Sequence, residues 1–382
     1  MIITVVSDVL GKENNGTTIA AMNLIRALKK RGHTVRVLCC DQNRKGQENY
    51  YVCPILSLGI FNNYVAKNGV QLAKPDKEVV RSALQGVDAV HIMLPFGLGK
   101  SALRMARKMG LPITAGFHTQ AENITSHLFL KNEKLSNFIV YKVFYSSFYR
   151  YVDAIHYPTE FIHQVFEKYS GHKTNAYVIS NGVNLRFQKR PDDFKRPAEL
   201  NGNYVILSTG RYSDEKCQKV LIRAVKKSRH EKNIQLVLAG AGPLEKKYRH
   251  LGQNLTNKPI MRFFDHETMV NVIYSADLYC HPADIEIESI ACLEAISGGL
   301  VPLISNSHRS AARHFALTPE NTFKVNNVHD LANQIDYWIE HPEKKDENRK
   351  LYEHFTDQFA FETCMDRMEE MIISTAKKKS HQ

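Results

Sequence analysis

Short apolar strands alternate with amphipathic helices along most of the chain, and that alternation leaves few folds open. Ile2–Val6 is an apolar run suited to a strand covered on both faces. A loop over residues 8–16 follows, and then Ile19, Met22, Ile25 and Leu28 recur every three residues as one apolar helical stripe. Gly32 is placed to stop that helix, and residues 34–40 resume as strand. The same grammar continues through a strand at 89–93, a helix over 101–108 and a strand at 112–117. It restarts with strands at Tyr204–Thr209, 235–239, Leu278–His281 and 301–305. Helices are expected between these near 216–228, 244–251, 267–274 and 289–297. The reading is an α/β protein with two Rossmann-like halves, each built on a parallel sheet, joined near residues 178–190. An amphipathic helix over 359–375 is expected to pack back across that junction. The expected units are therefore 1–178, 179–358, and a crossover helix with a basic tail over 359–382.

Composition narrows the class. With 382 residues, 43% hydrophobic and 24% charged, the chain has material for two or three packed cores and is not a disordered sequence. No stretch approaches the roughly 20 apolar residues of a membrane-spanning helix. The opening residues lack a basic segment and read as strand, so no signal peptide is expected. Seven cysteines (Cys39, Cys40, Cys53, Cys217, Cys280, Cys292 and Cys364) form no C-x-x-C pair, which favours reduced thiols in a cytoplasmic protein. The net charge of +12 is uneven: residues 1–178 hold 22 Lys+Arg against 12 Asp+Glu, and the remainder holds 29 against 27. A basic first half suits an anionic partner such as a membrane surface, although a solvated surface has the same composition. No nucleic-acid recognition motif is present, and no nucleic-acid partner is expected.

Nucleotide fingerprints of other two-Rossmann proteins fail. Gly240-Ala241-Gly242-Pro243-Leu244-Glu245 has the first two glycines of G-x-G-x-x-G but Glu245 in place of the third. Gly11 and Gly16 have the wrong spacing, and Gly99-Lys100-Ser101 lacks the upstream glycine of a phosphate loop.

The informative chemistry lies elsewhere. Glu286 falls in a loop before the helix expected at 289–297, and Glu294 about a turn and a half inside it. A helix start offers free N–H groups and a positive dipole end to a phosphate, and carboxylates beside it can accept hydrogen bonds from sugar hydroxyls. A capping carboxylate followed by a solvated helix residue explains the same segment equally well. Arg211 and Lys216 follow a strand of the same half and can converge on a diphosphate, one as a planar fork and the other as a point charge. Taken alone they are also ordinary turn residues. Gly240-Ala241-Gly242-Pro243 permits close backbone approach or a simple turn, and Asn181-Gly182 alone is only a turn.

In order along the chain, N-G-V-N at 181–184, G-R-Y-S-x-E-K at 210–216, G-x-G-P at 240–243 and E-x7-E at 286–294 resemble the retaining family 4 glycosyltransferases. The likeness runs over nearly the whole chain and is greatest to their diacylglycerol glucosyltransferase branch. It implies the GT-B fold: two facing Rossmann-like domains, an active site between them and a C-terminal helix crossing back. By position, it implies that Glu286 contacts the transferred sugar and Glu294 the ribose hydroxyls. Ser289, where many members have glycine, and Ile290 fall near the distal phosphate through their backbone. The resemblance further implies that Arg211 and Lys216 neutralise the diphosphate, with Gly210, Gly240, Gly242 and Pro243 in the donor site. In the first domain, Asn15-Gly16-Thr17 matches a glycine-rich loop near acceptor and sugar, with one glycine left. Residues 117–123 match a histidine-bearing loop that puts His118 near the transferred sugar; a histidine satisfied within a core is the commoner fate of any lone one. His118, Glu286, Arg211 and Lys216 are thus the expected catalytic set. Glu288 is a third acid able to exchange roles with Glu286. Residues 260–270 are shorter than in the family and leave the nucleobase contacts unassigned.

The resemblance implies transfer of glucose or galactose from a UDP-sugar co-substrate to a hydroxyl, with retention and without an enzymic nucleophile. Fixed cations can stabilise the departing diphosphate, so neither a metal nor a cofactor is expected, and Asp284-Ile285-Glu286 is read as a sugar-facing loop. The branch implies a lipid acceptor, 1,2-diacylglycerol. Between residues 128 and 157, Phe129, Phe138, Tyr141, Phe144, Tyr145, Phe148, Tyr149 and Tyr151 interleave with Lys131, Lys134, Lys142 and Arg150. Such a segment can lie in a headgroup interface, or pack its rings on the sheet as a core helix. Expected partners are a UDP-hexose donor, the lipid acceptor and an anionic membrane surface met by the N-terminal domain on the cytoplasmic side. A soluble or polysaccharide acceptor, nucleotide-sugar epimerisation and non-catalytic sugar-nucleotide sensing stay open as alternatives.

Overall fold

The computed structural model describes residues 1–8, 10, 16–57, 72–122, 125, 133–184, 186–187, 190–200 and 202–380. The chain divides into two compact units, residues 1–181 with 362–382, and residues 182–361.

In the first unit, β1 (Ile2–Val6), β2 (Thr34–Cys39), β3 (Tyr50–Val52), β4 (Ala89–Ile92), β5 (Ile113–Gly116), β6 (Ala154–Tyr157) and β7 (Ala176–Val178) form one sheet. Its order is β3-β2-β1-β4-β5-β6-β7 and every pairing is parallel. The helices are α1 (Gly16–Lys30), α2 (Lys77–Leu84), α3 (Gly97–Lys108), α4 (Glu133–Ser147) and α5 (Glu160–Ser170). All four residues of each of β4, β5 and β6 are buried, which is why β4 and β5 read as largely apolar runs rather than alternating ones. Strand order reverses between β1 and β4, leaving a crevice at their carboxyl ends.

The second unit repeats the plan. Strands β8 (Tyr204–Thr209), β9 (Ile234–Ala239), β10 (Ile260–Arg262), β11 (Leu278–His281), β12 (Pro302–Ser305) and β13 (Thr322–Phe323) run parallel in the order β10-β9-β8-β11-β12-β13. Its helices are α6 (Gln218–Lys227), α7 (Glu245–Gly252), α8 (His266–Tyr274), α9 (Ile290–Ser297), α10 (Val328–Glu340) and α11 (Pro342–Leu351). Period-two alternation feeds two cores. Ile206, Leu236 and Leu238 pack with Leu221, Leu331 and Trp338, whereas Val205, Leu207 and Val237 pack with Tyr279, Leu293 and Phe315.

The last helix, α12 (Phe361–Ser380), returns to the first unit. It buries Cys364, Met365, Met368, Met371 and Ile372 along one stripe. Its acidic face meets α1 and β2, with Arg31 2.6 Å from Asp366 and His33 2.6 Å from Glu369. Near its end, Lys379 pairs with Asp153 at 2.8 Å. The two crossings of the chain are stitched together, Val183 donating to the Phe359 carbonyl and Phe361 to that of Val183. All seven cysteines are free and buried.

The short strands β3, β7, β10 and β13, two or three residues each, were not visible as apolar runs because they lie at or next to sheet edges and are only partly buried. β6 was hidden within the aromatic segment. The helix expected from 216 begins at Gln218, because a 3-10 turn over Asp214–Lys216 ends in Cys217 at φ 54°, which breaks α-helical continuity.

Candidate active site

The second unit gathers its charged residues where strand order reverses, at the carboxyl ends of neighbouring β8 and β11. Lys216 leaves the loop after β8, Glu286 the loop after β11, and their side chains meet at 2.5 Å. The two loops are also tied by their backbones, Asp284 N–H donating to the Glu215 carbonyl at 2.8 Å. Glu286 is fixed in turn by Ala311, whose N–H donates to its carbonyl at 2.8 Å.

Asp284 departs from the sugar-facing reading. Its carboxylate accepts from Ser307 Oγ at 2.6 Å and pairs with Arg309, so it clamps the loop. Among the described residues no group of three or more His, Cys, Asp or Glu is arranged to hold a metal ion. Glu288 is buried, whereas Glu286 is the acid engaged with Lys216.

Three residues not singled out in the sequence complete this corner. His281 ends β11; its Nε2 lies 3.2 Å from Ser289 Oγ and 3.4 Å from Glu286 Oε1. Its Nδ1 lies 3.3 Å from the Tyr279 hydroxyl, which is 2.7 Å from Thr209 Oγ1. The available signal was polar side chains at the ends of two buried strands. Burial pushes the Glu286 carboxyl up, but Lys216 and His281 outweigh it and hold the group at about 2. Glu294, one turn into α9, is pushed up to about 8 by burial, which outweighs the opposing Arg186 charge. Ser289 stands at the N-cap of α9 in the left-handed region, at φ 75°. The first N–H groups of α9, beginning at Ile290, have no helical acceptor by geometry.

Arg211 is half-buried, and its carbonyl accepts from Gln218 Nε2 at 2.8 Å. The glycines of Gly240-Ala241-Gly242-Pro243 have a defined packing reason. A Cβ at 240 would stand 2.0 Å from the Gly210 carbonyl oxygen, and one at 242 would stand 2.6 Å from Tyr212 N. Close approach here is to the Gly210–Tyr212 backbone, with Tyr212 N–H donating to the Ala241 carbonyl at 3.1 Å.

In the first unit, His118 follows β5 with its ring laid over Gly116, where a Cβ would stand 2.3 Å from Nε2. Nε2 is buried without a hydrogen-bond partner among the described residues. The ring meets His156 edge-on at 5.4 Å. His156 bonds the Ile179 carbonyl through Nε2 at 2.6 Å, and His91 bonds Thr114 Oγ1 through Nδ1 at 2.9 Å. Burial drives His91 down to about 3 and His156 to about 4, and holds His118 well below the ordinary imidazole range, so all three are neutral at pH 7. Asp8, just past β1, was also missed: it accepts from Ala73 N–H at 3.1 Å, and burial pushes it up to about 6. Gly16 and Thr17 open α1; Asn15 lies outside the described residues, as do Asn123, Phe129 and Lys131.

The aromatic segment divides by face. Phe117 is the hub of a core with Tyr141, Phe144, Tyr149, Tyr157 and Phe166, at centroid distances of 4.8–6.5 Å. Phe148, just past α4, is buried too, and of the α4 rings Tyr141 and Phe144 point inward. Its outward face carries Leu135, Phe138, Ile139 and Val143, each 42–54% exposed, with exposed Lys134 and Lys142.

Comparison with known proteins accords with this architecture. The profile described as Glycosyltransferase Family 4 matches residues 14–187, and that described as Glycosyl transferases group 1 matches residues 189–354. Alpha-monoglucosyldiacylglycerol synthase of Streptococcus pneumoniae is 25% identical over 325 residues, covering 81% of this chain and 71% of that protein. Anabaena Alr3699/HepE, solved with UDP and glucose, superposes with a TM-score of 0.72 at 17% identity, covering 98% of this chain and all of that one. The catalytic domain of cholesterol-alpha-glucosyltransferase from Helicobacter pylori is 41% identical, covering 41% of this chain and 99% of that one, with a TM-score of 0.40. With the two profiles consecutive over nearly the whole chain and each falling on one Rossmann-like unit, the protein belongs to the GT-B glycosyltransferases.

Proposed function

We propose that this enzyme transfers a hexose from a UDP-hexose to the hydroxyl of a membrane lipid, most plainly 1,2-diacylglycerol, with retention at the anomeric carbon. The observation that carries the donor half is the meeting of Lys216 and Glu286 at the mouth of the β8–β11 crevice, beside the start of α9. Arg211 and Lys216 take the diphosphate, the N–H groups at Ser289 and Ile290 take its distal phosphate, Glu286 binds the sugar and Glu294 the ribose diol. Gly210, Gly240, Gly242 and Pro243 shape the adjoining loops, while Gly16, Thr17 and neutral His118 serve sugar and acceptor from the first unit. As the bond from the anomeric carbon to the diphosphate oxygen breaks, the charge on the leaving oxygen is met by fixed cations; the acceptor oxygen bonds to the same face, and its proton passes to the departing phosphate. No divalent ion enters this scheme.

The acceptor reading draws on two facts. The pneumococcal relative is named for glucosyldiacylglycerol synthesis, and α4 is apolar on both faces. A helix needs one apolar face for its own core; a second, exposed one flanked by lysines fits the headgroup boundary of an anionic bilayer. No helix among the described residues is long and apolar enough to cross a membrane. In this reading the enzyme binds peripherally, on the inner face of the plasma membrane, through α4. The test is an acceptor screen with labelled UDP-glucose and UDP-galactose, using diacylglycerol in anionic vesicles against soluble sugars, with and without a chelator. Glycolipid formed at the same rate after chelation supports the proposal. Transfer only to soluble sugars overturns the lipid acceptor, isomerised donor without acceptor indicates an epimerase, and lost turnover after chelation overturns the metal-free scheme.

A further inference from the structure

The side chains of Lys216 and His281 converge on one oxygen, Oε1 of Glu286, at 2.5 and 3.4 Å. That sharing creates a problem when the donor binds. A diphosphate competes for the Lys216 ammonium, and a carboxylate left without its cation in a largely dry site is costly. We propose that His281 is the positioning residue that retains Glu286 in its sugar-facing place while Lys216 turns to the diphosphate. The inference rests on the donor-site roles proposed above for Glu286 and Lys216.

The hydrogen-bond inventory shows how. His281 and Tyr279 are both almost wholly buried, so their polar atoms must be satisfied inside the fold. If Thr209 donates to the Tyr279 oxygen, the single Tyr279 proton goes to His281 Nδ1, and the imidazole carries its own proton on Nε2. Nε2–H then points at Glu286 Oε1 and Ser289 Oγ. The 3.4 Å separation to Glu286 can close to an ordinary hydrogen bond once Lys216 moves off, as catalytic contacts tighten in the occupied site. Ser289 belongs to the same device. It holds a left-handed conformation that glycine adopts without cost, and its hydroxyl gives the ring a second anchor next to the helix start.

The experiment compares His281→Leu, His281→Gln and Tyr279→Phe, with Glu286→Gln as the control on the underlying reading. Gln can place its amide nitrogen near the imidazole Nε2 position; Leu cannot donate. His281→Leu is expected to lower kcat about 30-fold with the KM for UDP-hexose and the Kd for UDP within about threefold of wild type. His281→Gln should recover to within about fivefold of wild type, and Tyr279→Phe, which keeps the ring packing, should lower kcat about threefold. Wild-type kcat in His281→Leu overturns the proposal. Equal loss in the Leu and Gln variants with a matching fall in Tm also overturns it, because that pattern is structural. If His281→Leu does not fold, the Gln and Phe variants decide: a Gln variant with more than about 30-fold loss, or a Phe variant with none, overturns it. Full turnover in Glu286→Gln would instead show that the sugar-contact assignment itself has failed.

Discussion

The two sheets share one strand order around their reversal points, yet their polar ends are built on opposite electrostatics. In the second unit, the loops after β8 and β11 hold a half-buried carboxylate in its charged form, locked by Lys216 and His281. In the first, the ends of β4, β5 and β6 hold buried His91 and His156 and half-buried His118, all neutral. Topology supplies the crevice and the residues at strand ends supply the chemistry. A fixed ion cluster suits a highly charged donor. A neutral imidazole suits the approach of an uncharged sugar and hydroxyl, since it adds no charge to be desolvated.

The sharpest way to break that comparison is to remove the cations. Lys216→Ala and Arg211→Ala are each expected to lower kcat at saturating donor by about 100- to 1000-fold, the scale of a lost leaving-group stabiliser. Retained turnover in both would dismiss the charged corner as the donor site. Next is Gly116→Ala, whose methyl would overlap the His118 ring. Displacing that ring should cost about 10- to 100-fold in kcat and about 1–3 kcal/mol in stability. A variant with lowered Tm but unchanged kcat would leave His118 a core residue.

Smaller effects probe the surface and the pH response. Leu135→Ser, Ile139→Ser and Val143→Ser together should weaken binding to anionic vesicles about tenfold or more while UDP affinity stays constant. Reversing Lys134 and Lys142 to Glu should weaken it further and flatten its salt dependence; equal vesicle binding in all variants would remove α4 from the membrane reading. Acidification should separate the two units. The histidines are held below 6.5 in the folded first unit, so the unfolded chain takes up protons first and stability falls as pH drops from about 6.5 towards about 4. Asp8, raised to about 6, opposes this with one carboxyl against three imidazoles. Glu286 contributes stability that is lost only lower, between about 4.5 and about 2. Hydrogen exchange at about pH 5 should therefore rise around β4–β6 before it rises around β8 and β11. Simultaneous loosening would show that the neutral histidines do not set the acid response.

Much of the architecture was legible in the sequence, for a local reason. A strand buried on both faces must be apolar in nearly every residue, so Ile2–Val6, Tyr204–Thr209 and Leu278–His281 announce themselves with the helices between them. The order of motifs from Asn181 to Glu294 likewise pointed to the second unit for the proposed donor site, because helix starts and strand ends are local features. Partnership between distant residues was not legible. Lys216 and Glu286 stand 70 positions apart and meet because β8 and β11 are neighbours. Asp284 stood in a loop read as sugar-facing, but Arg309 and Ser307, from the loop beyond β12, hold its carboxylate. His281 and Tyr279 passed as interior strand residues, since a buried hydroxyl and imidazole show their use only when Thr209 and Ser289 are beside them. The same limit applied to α4. Its sequence specifies a helix with apolar residues all round, but packing against Phe117 decided that Tyr141 and Phe144 turn inward and left Leu135, Ile139 and Val143 facing out. Period and apolarity act along the chain and can be read from it; which face is covered, and which charge finds its partner, depends on what the folded sheet brings alongside.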